Sequence, residues 1–327
     1  MPEVSIIITT HDRSHLLPRA IKSAHASSCR SVEVVVVDDA SDEDTARVCS
    51  SLPRVKYVRL ERNQGVAGAR NQGILSSRGE YLSFLDDDDI RLEGSLDEQV
   101  DALEGAPDAG FVYGQAIIGL NDGNPTSDFY PKHCPNGDIF WKLLERNFVP
   151  CGTAVFRRAC LNRVGMLDPA IPGIDDWDLW IRISELYPVL SLERPAIVWR
   201  KSTPVSGQGT SNALRIVELS ARRFKENWSS LPRVLQSSAQ ARKRVSRRFY
   251  DNMTNHLLWD AVRSMAAGQW LRSQKNILAA MRLSSYSVAR ALLRPKSYRS
   301  LLTHAPKEIM ASKNSPRRLP QVVRSRS

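Results

Sequence analysis

Four consecutive aspartates occupy positions 86–89, directly after an apolar stretch at residues 81–85 that has the composition of a buried β-strand. Like charges repel one another, and burying them without a counter-charge is costly. A hard divalent cation removes this cost, and Mg²⁺ commonly binds one or two protein carboxylates together with water and substrate phosphates. The stretch therefore indicates a metal–diphosphate site at the end of a strand. A solvated acidic loop is the alternative that the stretch alone leaves open.

Apolar strand patterns alternate with helical patterns through the first hundred residues. Strands are predicted at 4–10, 32–37, 55–60 and 81–85, and helices at 15–26, 45–50, 65–77 and 92–103. Continuous apolar strands between helices are typical of a parallel sheet that is covered on both faces. Ligands of such sheets bind at the carboxyl ends of the strands. Polar clusters at 9–12, 38–39 and 86–89 follow three of these strands, so we expect the clusters to converge.

The rest of the chain changes character near residue 200. Further strands are predicted at 110–114, 154–157 and 189–199, a loop over the site at 119–137, and a helix that opens at 174–182 with acids at its N-terminal end. Helices are predicted at 214–228, 239–265, 270–283 and 288–293, with a turn at Gly268. We therefore predict an α/β domain at 1–211, closed by a flexible loop at 202–211, a helical basic extension at 212–311, and a disordered basic tail at 312–327.

The charge is divided unevenly between these regions. Residues 1–200 carry 21 Lys and Arg against 30 Asp and Glu, whereas residues 201–327 carry 25 against 5. The second region should therefore bind something anionic, such as a membrane surface, an acidic polymer or nucleic acid. Its helices suit an anionic membrane or a lipid-linked phosphate, and no RNA- or DNA-binding signature accompanies its aromatic residues. Packing against the first domain or a second subunit is the alternative.

The five cysteines indicate a reducing compartment. Their number is odd, and they form no Cys-x-x-Cys pair and no zinc spacing with His, which favours reduced thiols in the cytoplasm. No stretch approaches the roughly 18 apolar residues of a membrane span, and no signal-peptide pattern is present. We predict a cytoplasmic protein that is not transmembrane, with the inner face of the membrane as its peripheral location.

Five motifs in fixed order resemble those of the family 2 glycosyltransferases, which are inverting enzymes of the GT-A fold. The motifs are VSIIITTHDR at 4–13, VDDASD at 37–42, NQGVAGARNQGI at 63–74, GEYLSFLDDDD at 79–89 and DDWDLWIR at 175–182. The resemblance covers about residues 3–205. It implies a GT-A fold, with a mostly parallel nucleotide-binding sheet between helices, followed here by the helical extension.

The resemblance also implies roles for the donor side of the site. Thr9 and His11 match positions beside the nucleotide base, and Asp39 matches the acid that accepts a hydrogen bond from the base. Arg70 is expected near the diphosphate. The resemblance assigns the three positions of the Asp-x-Asp motif in turn: Asp86 near the ribose, Asp87 in the nucleotide site, and Asp88 as the ligand of Mg²⁺ or Mn²⁺.

On the acceptor side, the resemblance assigns Asp176 as the catalytic base that takes the proton of the attacking hydroxyl. Asp175 and Trp177 are assigned to acceptor binding. A capped amphipathic helix, with Trp177 and Trp180 as packing residues only, is the alternative for this stretch. The His that many family members carry after the strand corresponding to 195–199 is missing here. Either Lys201 or Arg200 supplies positive charge instead, or the metal dependence is altered.

The function expected from these motifs is metal-dependent transfer of one sugar from a nucleotide-sugar, a UDP-sugar, in cell-surface glycan or polysaccharide biosynthesis. The Gln-x-x-Arg-Trp signature of processive synthases is absent, which favours transfer of a single sugar. The acceptor is a glycan or a lipid-linked molecule. Two alternatives stay open: a non-catalytic module that binds nucleotide-sugars, and a nucleic-acid binder that acts through the basic extension.

Overall fold

The computed structural model describes residues 2–120, 122–200 and 213–292. The chain divides into two compact units: residues up to 200 together with 222–245 form the first, and residues 213–221 with 246–292 belong to the second. The first unit therefore includes part of the extension that the sequence analysis places at 212–311. The predicted loop at 202–211 and the predicted tail at 312–327 lie outside the described residues.

A mixed β-sheet forms the centre of the first unit. Its strands are β1 (Val4–Thr10), β2 (Val32–Asp38), β3 (Val55–Arg59), β4 (Tyr81–Asp86), β5 (Ile90–Arg91), β6 (Phe111–Gly119), β7 (Pro125–Tyr130), β8 (Val155–Arg157) and β9 (Val189–Arg200). Their order is β3-β2-β1-β4-β8-β6-β9-β5, with β7 paired to β6. Strands β1 to β4 are parallel, whereas β8 is antiparallel to both of its neighbours. The predicted parallel sheet is thus the first half of a larger mixed sheet.

Helices flank the sheet, and four further helices follow it within the described residues. They are α1 (Leu17–Ala26), α2 (Thr45–Ser50), α3 (Gly65–Ser76), α4 (Ser95–Glu104), α5 (Phe140–Glu145), α6 (Leu161–Val164), α7 (Asp175–Leu186), α8 (Ala213–Glu226), α9 (Pro232–Leu235), α10 (Ala239–Ala266) and α11 (Trp270–Leu292). Gly268, at φ +74°, makes the predicted turn before α11. The non-helical backbone at Ser284 falls between the two helices predicted within this segment. None of the described helices is both long and apolar enough to cross a membrane.

Strand β1 is apolar along its whole length because both of its faces are covered. Ile6 and Ile8 belong to the core cluster that also contains Leu17 and other residues of α1. On the opposite face, α3 lies so close that a Cβ on Gly73 would come within 2.3 Å of the Ile7 Cγ2 atom. Glycine at position 73 therefore lets the α3 backbone pack directly against the central strand.

The prediction of a continuous loop at 119–137 is wrong for its central part. Residues 125–130 form β7, an exposed edge strand that pairs antiparallel with β6. Gly123, at φ +79°, lies in the turn between the two strands, and its N–H donates to the carbonyl oxygen of Leu120. The dense Asn, Asp and Gly residues mark this turn, and their number conceals the short strand that follows it.

Candidate active site

The carboxyl ends of β1, β2 and β4 meet at one edge of the sheet. In the strand register, Thr10 lies opposite Asp38 and Thr9 lies opposite Asp86. The three polar clusters that follow these strands are therefore neighbours, which confirms the predicted convergence.

The two aspartates at the end of β2 have different surroundings. The Asp38 carboxylate is fully buried and accepts hydrogen bonds from the Tyr57 hydroxyl at 2.6 Å and the Arg59 guanidinium at 2.9 Å. Asp39 accepts from the Gln64 backbone N–H at 2.7 Å. Burial raises the pKa of Asp39, and hydrogen bonds from the backbone at Gln64 and Gly65 offset only part of this rise. Asp38 thus has its acceptor capacity used by the protein, and Asp39 is the better candidate for a ligand.

The other two residues predicted to lie beside the base are Thr9 and His11. They lie at the end of β1 and directly after it, and β1 is the strand that pairs with β2. Thr9 is buried near the end of β1. His11 is exposed, and its Nε2 atom lies 3.5 Å from a carboxylate oxygen of Asp12. Contact of either residue with a base stays a prediction.

The acidic loop after β4 is held by arginines. The Arg13 guanidinium lies 2.6 Å from the buried Asp87 carboxylate and 3.4 Å from that of Asp88. Burial raises the pKa of Asp87 to about 7 although Arg13 opposes the rise. Asp89 is also buried, and it accepts a hydrogen bond from the Arg200 backbone N–H at 2.9 Å. Asp87 and Asp89 therefore fix the loop, while Asp86 and Asp88 keep more of their surface exposed.

Asp86 and Asp88 provide a donor set that fits one divalent cation. Burial raises the pKa of Asp88, and the charge of Asp86 raises it further, so a cation between them would relieve both effects. The described residues contain no group of three or more His, Cys, Asp or Glu side chains arranged to hold a metal. Two carboxylates are nevertheless sufficient for Mg²⁺ when substrate phosphates and water complete its ligands. The pair fits a metal that binds together with the nucleotide.

Positive charge also reaches Asp88 from β9. The charge of Arg200 lowers the pKa of Asp88, as does that of Arg13. This agrees with the expectation that Arg200 supplies charge where the family's His is missing. Lys201, the other candidate, lies outside the described residues.

Arg70 connects the acidic loop to the start of α7. Its guanidinium donates to Asp86 at 2.9 Å and to Asp175 at 3.1 Å. Although Arg70 is a charged residue within a helix, only 6% of it is exposed. The buried face of α3 therefore carries a cation that holds two carboxylates of the site, and contact with a diphosphate stays a prediction.

Asp176 has the environment of a general base. It is half-buried in the first turn of α7, where the helix dipole favours negative charge, and it accepts a hydrogen bond from the Trp177 backbone N–H at 2.7 Å. Burial and then the charge of Asp175 raise the pKa of Asp176 to about 7, against the opposing charge of Arg70. A carboxylate whose pKa lies near the working pH is suited to take a proton from a hydroxyl.

Trp177 and Trp180 anchor α7 in the core. Trp180 is fully buried, and the Trp177 indole N–H donates to the Leu143 carbonyl oxygen at 2.8 Å. Asp175 is also buried, with Arg70 as its partner. The predicted packing of both tryptophans is confirmed, whereas the acceptor-binding roles of Asp175 and Trp177 stay predictions.

Two residues near these acids were missed by sequence reasoning. Arg13 is the last residue of the motif at 4–13, three residues after β1 ends. A cationic residue so close to a polar strand end could have been predicted to bind the neighbouring carboxylates. Burial raises the pKa of the Cys151 thiol; the charge of Arg70 opposes this rise, and the charge of Asp176 adds to it. No feature of its surrounding sequence indicated that Cys151 lies in this cluster.

Comparison with known proteins identifies the family. The family model described as Glycosyl transferase family 2 matches residues 5–165. A Campylobacter jejuni protein named GalNAc(5)-diNAcBac-PP-undecaprenol beta-1,3-glucosyltransferase is 37% identical over 139 residues, which are 40% of this chain and 43% of that protein. This chain therefore spans less than half of the length of that curated relative.

Two solved structures share the fold. TarS 1–349 of S. aureus, in complex with UDP-GlcNAc, has a TM-score of 0.54 at 13% identity over 88% of this chain and 92% of that chain. The mannosyltransferase PcManGT of Pyrobaculum calidifontis, in complex with GDP-Man and Mn²⁺, has a TM-score of 0.56 at 18% identity over 95% of this chain and 86% of that chain. These likenesses concern the GT-A fold alone. The match of residues 5–165 to the family model and the likeness to the curated relative lead to one conclusion: this part of the chain belongs to glycosyl transferase family 2.

Proposed function

We propose that the protein transfers one sugar, with inversion, from a UDP-sugar to a hydroxyl of a glycan or lipid-linked acceptor. The observation that carries the proposal is the state of Asp176: a carboxylate at a helix start, with its pKa raised to about 7, in one charge cluster with Arg70 and Asp86. Such a group is poised to accept a proton beside a site for a negatively charged donor.

On the donor side, the uracil N–H donates to Asp39, whose carboxylate is held at the end of β2. Asp88, with Asp86 beside it, would hold Mg²⁺ or Mn²⁺, and Asp86 would also bind the ribose. A bound divalent cation supplies charge stabilisation for a diphosphate leaving group. The bound nucleotides of the two solved structures, UDP-GlcNAc and GDP-Man, support a nucleotide-sugar as the donor.

On the acceptor side, Asp176 takes the proton as the acceptor hydroxyl attacks the anomeric carbon from the face opposite the leaving group. Inversion requires the base on that face. Arg70 forms ion pairs with Asp86 and Asp175, so of the two aspartates at the start of α7 it is Asp176 that accepts the proton. The named activity of the C. jejuni relative on an undecaprenol-linked glycan supports a lipid-linked acceptor.

Within the described residues, helix α11 offers a surface that suits an anionic membrane. It contains four basic residues and no acidic residue. Trp270 and Leu271 are 61% and 76% exposed at its first turn. Lys275 and Arg282 are exposed on the same helix, and neither forms an ion pair within the described part of the chain. Exposed apolar residues beside unpaired cations suit the interface of an anionic bilayer.

The experiment that tests the proposed function is a thermal-shift screen of nucleotides and nucleotide-sugars with Mg²⁺ or Mn²⁺, followed by a nucleoside-diphosphate release assay. A bound donor raises the melting temperature by mass action. UDP-sugars should raise it with metal and lose the effect with EDTA, and acceptor should accelerate UDP release. Binding without any release or hydrolysis would favour the non-catalytic module. Stabilisation by RNA or DNA alone would favour the nucleic-acid binder.

A further inference from the structure

Asp178, two residues after the proposed base, lies at the centre of a buried cluster. Its side chain is 1% exposed. One carboxylate oxygen accepts from Arg223 Nε and from Trp228 Nε1, each at 2.8 Å, and the other accepts from Arg182 Nε at 2.8 Å. Burial alone would raise the pKa of Asp178, but these hydrogen bonds and the arginine charges lower it below its usual value. The carboxylate therefore stays ionised and fully bonded.

Two of these donors come from a segment far along the chain. Arg223 belongs to the last turn of α8, and Trp228 follows it. Arg223 also donates to Asp168 at 3.0 Å, in the loop before α7. The Trp228 ring packs on Trp177, with 4.8 Å between the ring centroids. Both residues belong to the same compact unit as the sheet, although the family match ends at residue 165.

The same segment also holds the end of α7. The Arg233 backbone N–H donates to Glu185 at 3.2 Å, and its guanidinium donates to the Ser184 carbonyl oxygen at 3.3 Å. Residues 223–233 thus contact the helix in its first and last turns. A helix held at both ends has little freedom to rotate or slide.

We infer that Arg223 and Trp228 are positioning residues for Asp176: they fix the first turn of α7 through Asp178 and Trp177. The inference rests on the proposed role of Asp176 as base. Misplacement of a reacting group by about 1 Å can cost on the order of 10² in rate, so the bonds to Asp178 set how well Asp176 meets the acceptor. The segment after α8 then completes the catalytic unit.

The test compares Arg223→Gln and Trp228→Phe with the parent and with Arg222→Gln. Arg222 is the neighbouring exposed arginine, so its variant removes the same charge without touching Asp178. Trp228→Phe keeps a ring against Trp177 and removes only the indole donor, which makes it the mild variant if Arg223→Gln fails to fold. Steady-state kcat, donor KM, the pH dependence of kcat and the melting temperature are measured for each.

We expect kcat to fall about 10- to 100-fold in both test variants, with donor KM little changed and Arg222→Gln like the parent. In Trp228→Phe, which leaves every charge in place, loosening of the first turn admits water to Asp176, whose pKa then falls from about 7, so the acidic limb of the kcat profile moves to lower pH. A lowered melting temperature with unchanged kcat and an unmoved limb would overturn the inference.

The Asp176→Asn variant distinguishes failure of this inference from failure of the proposed function on which it rests. If Asp176→Asn is inactive while the two test variants behave like the parent, the inference is wrong and the base is right. If Asp176→Asn transfers sugar as the parent does, the base assignment fails and the inference fails with it.

Discussion

Replacement of Asp176 by Asn is the most direct test of the proposed mechanism. Asn keeps the shape and a hydrogen-bonding group, but it cannot take the acceptor proton. Loss of a general base typically costs a factor of about 10² to 10⁴ in rate. At about 1.4 kcal/mol per tenfold, this is roughly 3 to 5.5 kcal/mol of activation free energy. Donor affinity should change little, because the proposed role of Asp176 is at the acceptor hydroxyl.

The pH dependence of kcat gives a second quantitative prediction. With a pKa of about 7 for Asp176, roughly a tenth of the molecules carry the ionised base at pH 6 and roughly nine tenths at pH 8. The kcat of the parent should therefore rise roughly tenfold between these values, and the residual rate of Asp176→Asn should lack this limb. The assay is initial-rate UDP release with saturating donor at each pH.

The folding stability of the parent should fall as the pH rises, whereas its kcat should increase. The pKa of Asp176 is raised in the folded protein above its value of about 3.9 in an unfolded chain. The folded state therefore binds the proton more tightly, and the parent loses stability as the pH rises from about 4 through about 7. Asp176→Asn avoids this loss, so its melting temperature relative to the parent should increase over that range.

Asp175→Asn is the matched control. It should mainly weaken acceptor binding, and it removes a charge that raises the pKa of Asp176, so the acidic limb should move to lower pH. Near-parent turnover in Asp176→Asn with lost turnover in Asp175→Asn would show that the base is assigned one residue too late. Activity in both variants would refute the inverting mechanism itself.

Three further predictions concern the donor, the metal and the membrane. Asp88→Ala should abolish metal-dependent donor binding in calorimetry with the fold intact; unchanged affinity with and without EDTA would contradict it, and loss only with Asp86→Ala would shift the metal ligand by two positions. Asp39→Ala should weaken the binding of uridine nucleotides by roughly 1.5–3 kcal/mol. An equal loss of binding free energy for nucleotides with every base would mean that Asp39 has a structural role. Lys275→Glu combined with Arg282→Glu should abolish flotation with anionic liposomes but not UDP binding; flotation equal to the parent's would favour a packing role for α11.

The charge control for the liposome experiment is Lys22→Glu combined with Lys142→Glu. Both lysines are exposed on the first unit, and the pair changes the net charge by the same amount. Truncation near Ala239 is a coarser version of the same test, since it keeps Trp228 and Arg233 with the sheet. The truncated protein and the Lys22→Glu, Lys142→Glu control should both keep nucleotide binding, measured by thermal shift.

The parallel half of the sheet was predictable because its signals are local. The apolar run at 4–10 was predicted with its observed bounds, and the strands at 32–37 and 81–85 end within one residue of those observed. Strand ends in such a sheet share an edge, so their polar clusters could be placed together without coordinates. The same reasoning could not supply the partner of each carboxylate.

The remaining contacts depend on pairs that are far apart in the sequence. Arg70 and Asp175 are 105 residues apart, and Arg223 and Asp178 are 45 apart. No periodicity links such residues, and only the packing of α3 and α7 brings the first pair together. Strand β7 was hidden for another reason: it is an exposed edge strand, so its sequence shows little of the apolar alternation that marks a half-buried strand.

The missing side chain at Gly73 sets a limit on which sequences can carry this site. Helix α3 holds Arg70, and it reaches the central strand only because no Cβ separates Gly73 from Ile7. Even one methyl group at Gly73 would push the helix outward, and Arg70 would move away from Asp86 and Asp175 with it. In a library of random variants, a position without any functional group of its own would then behave like a catalytic one. The loss of activity caused by substitutions at Gly73 would thus reflect how far Arg70 has moved from the carboxylates of Asp86 and Asp175.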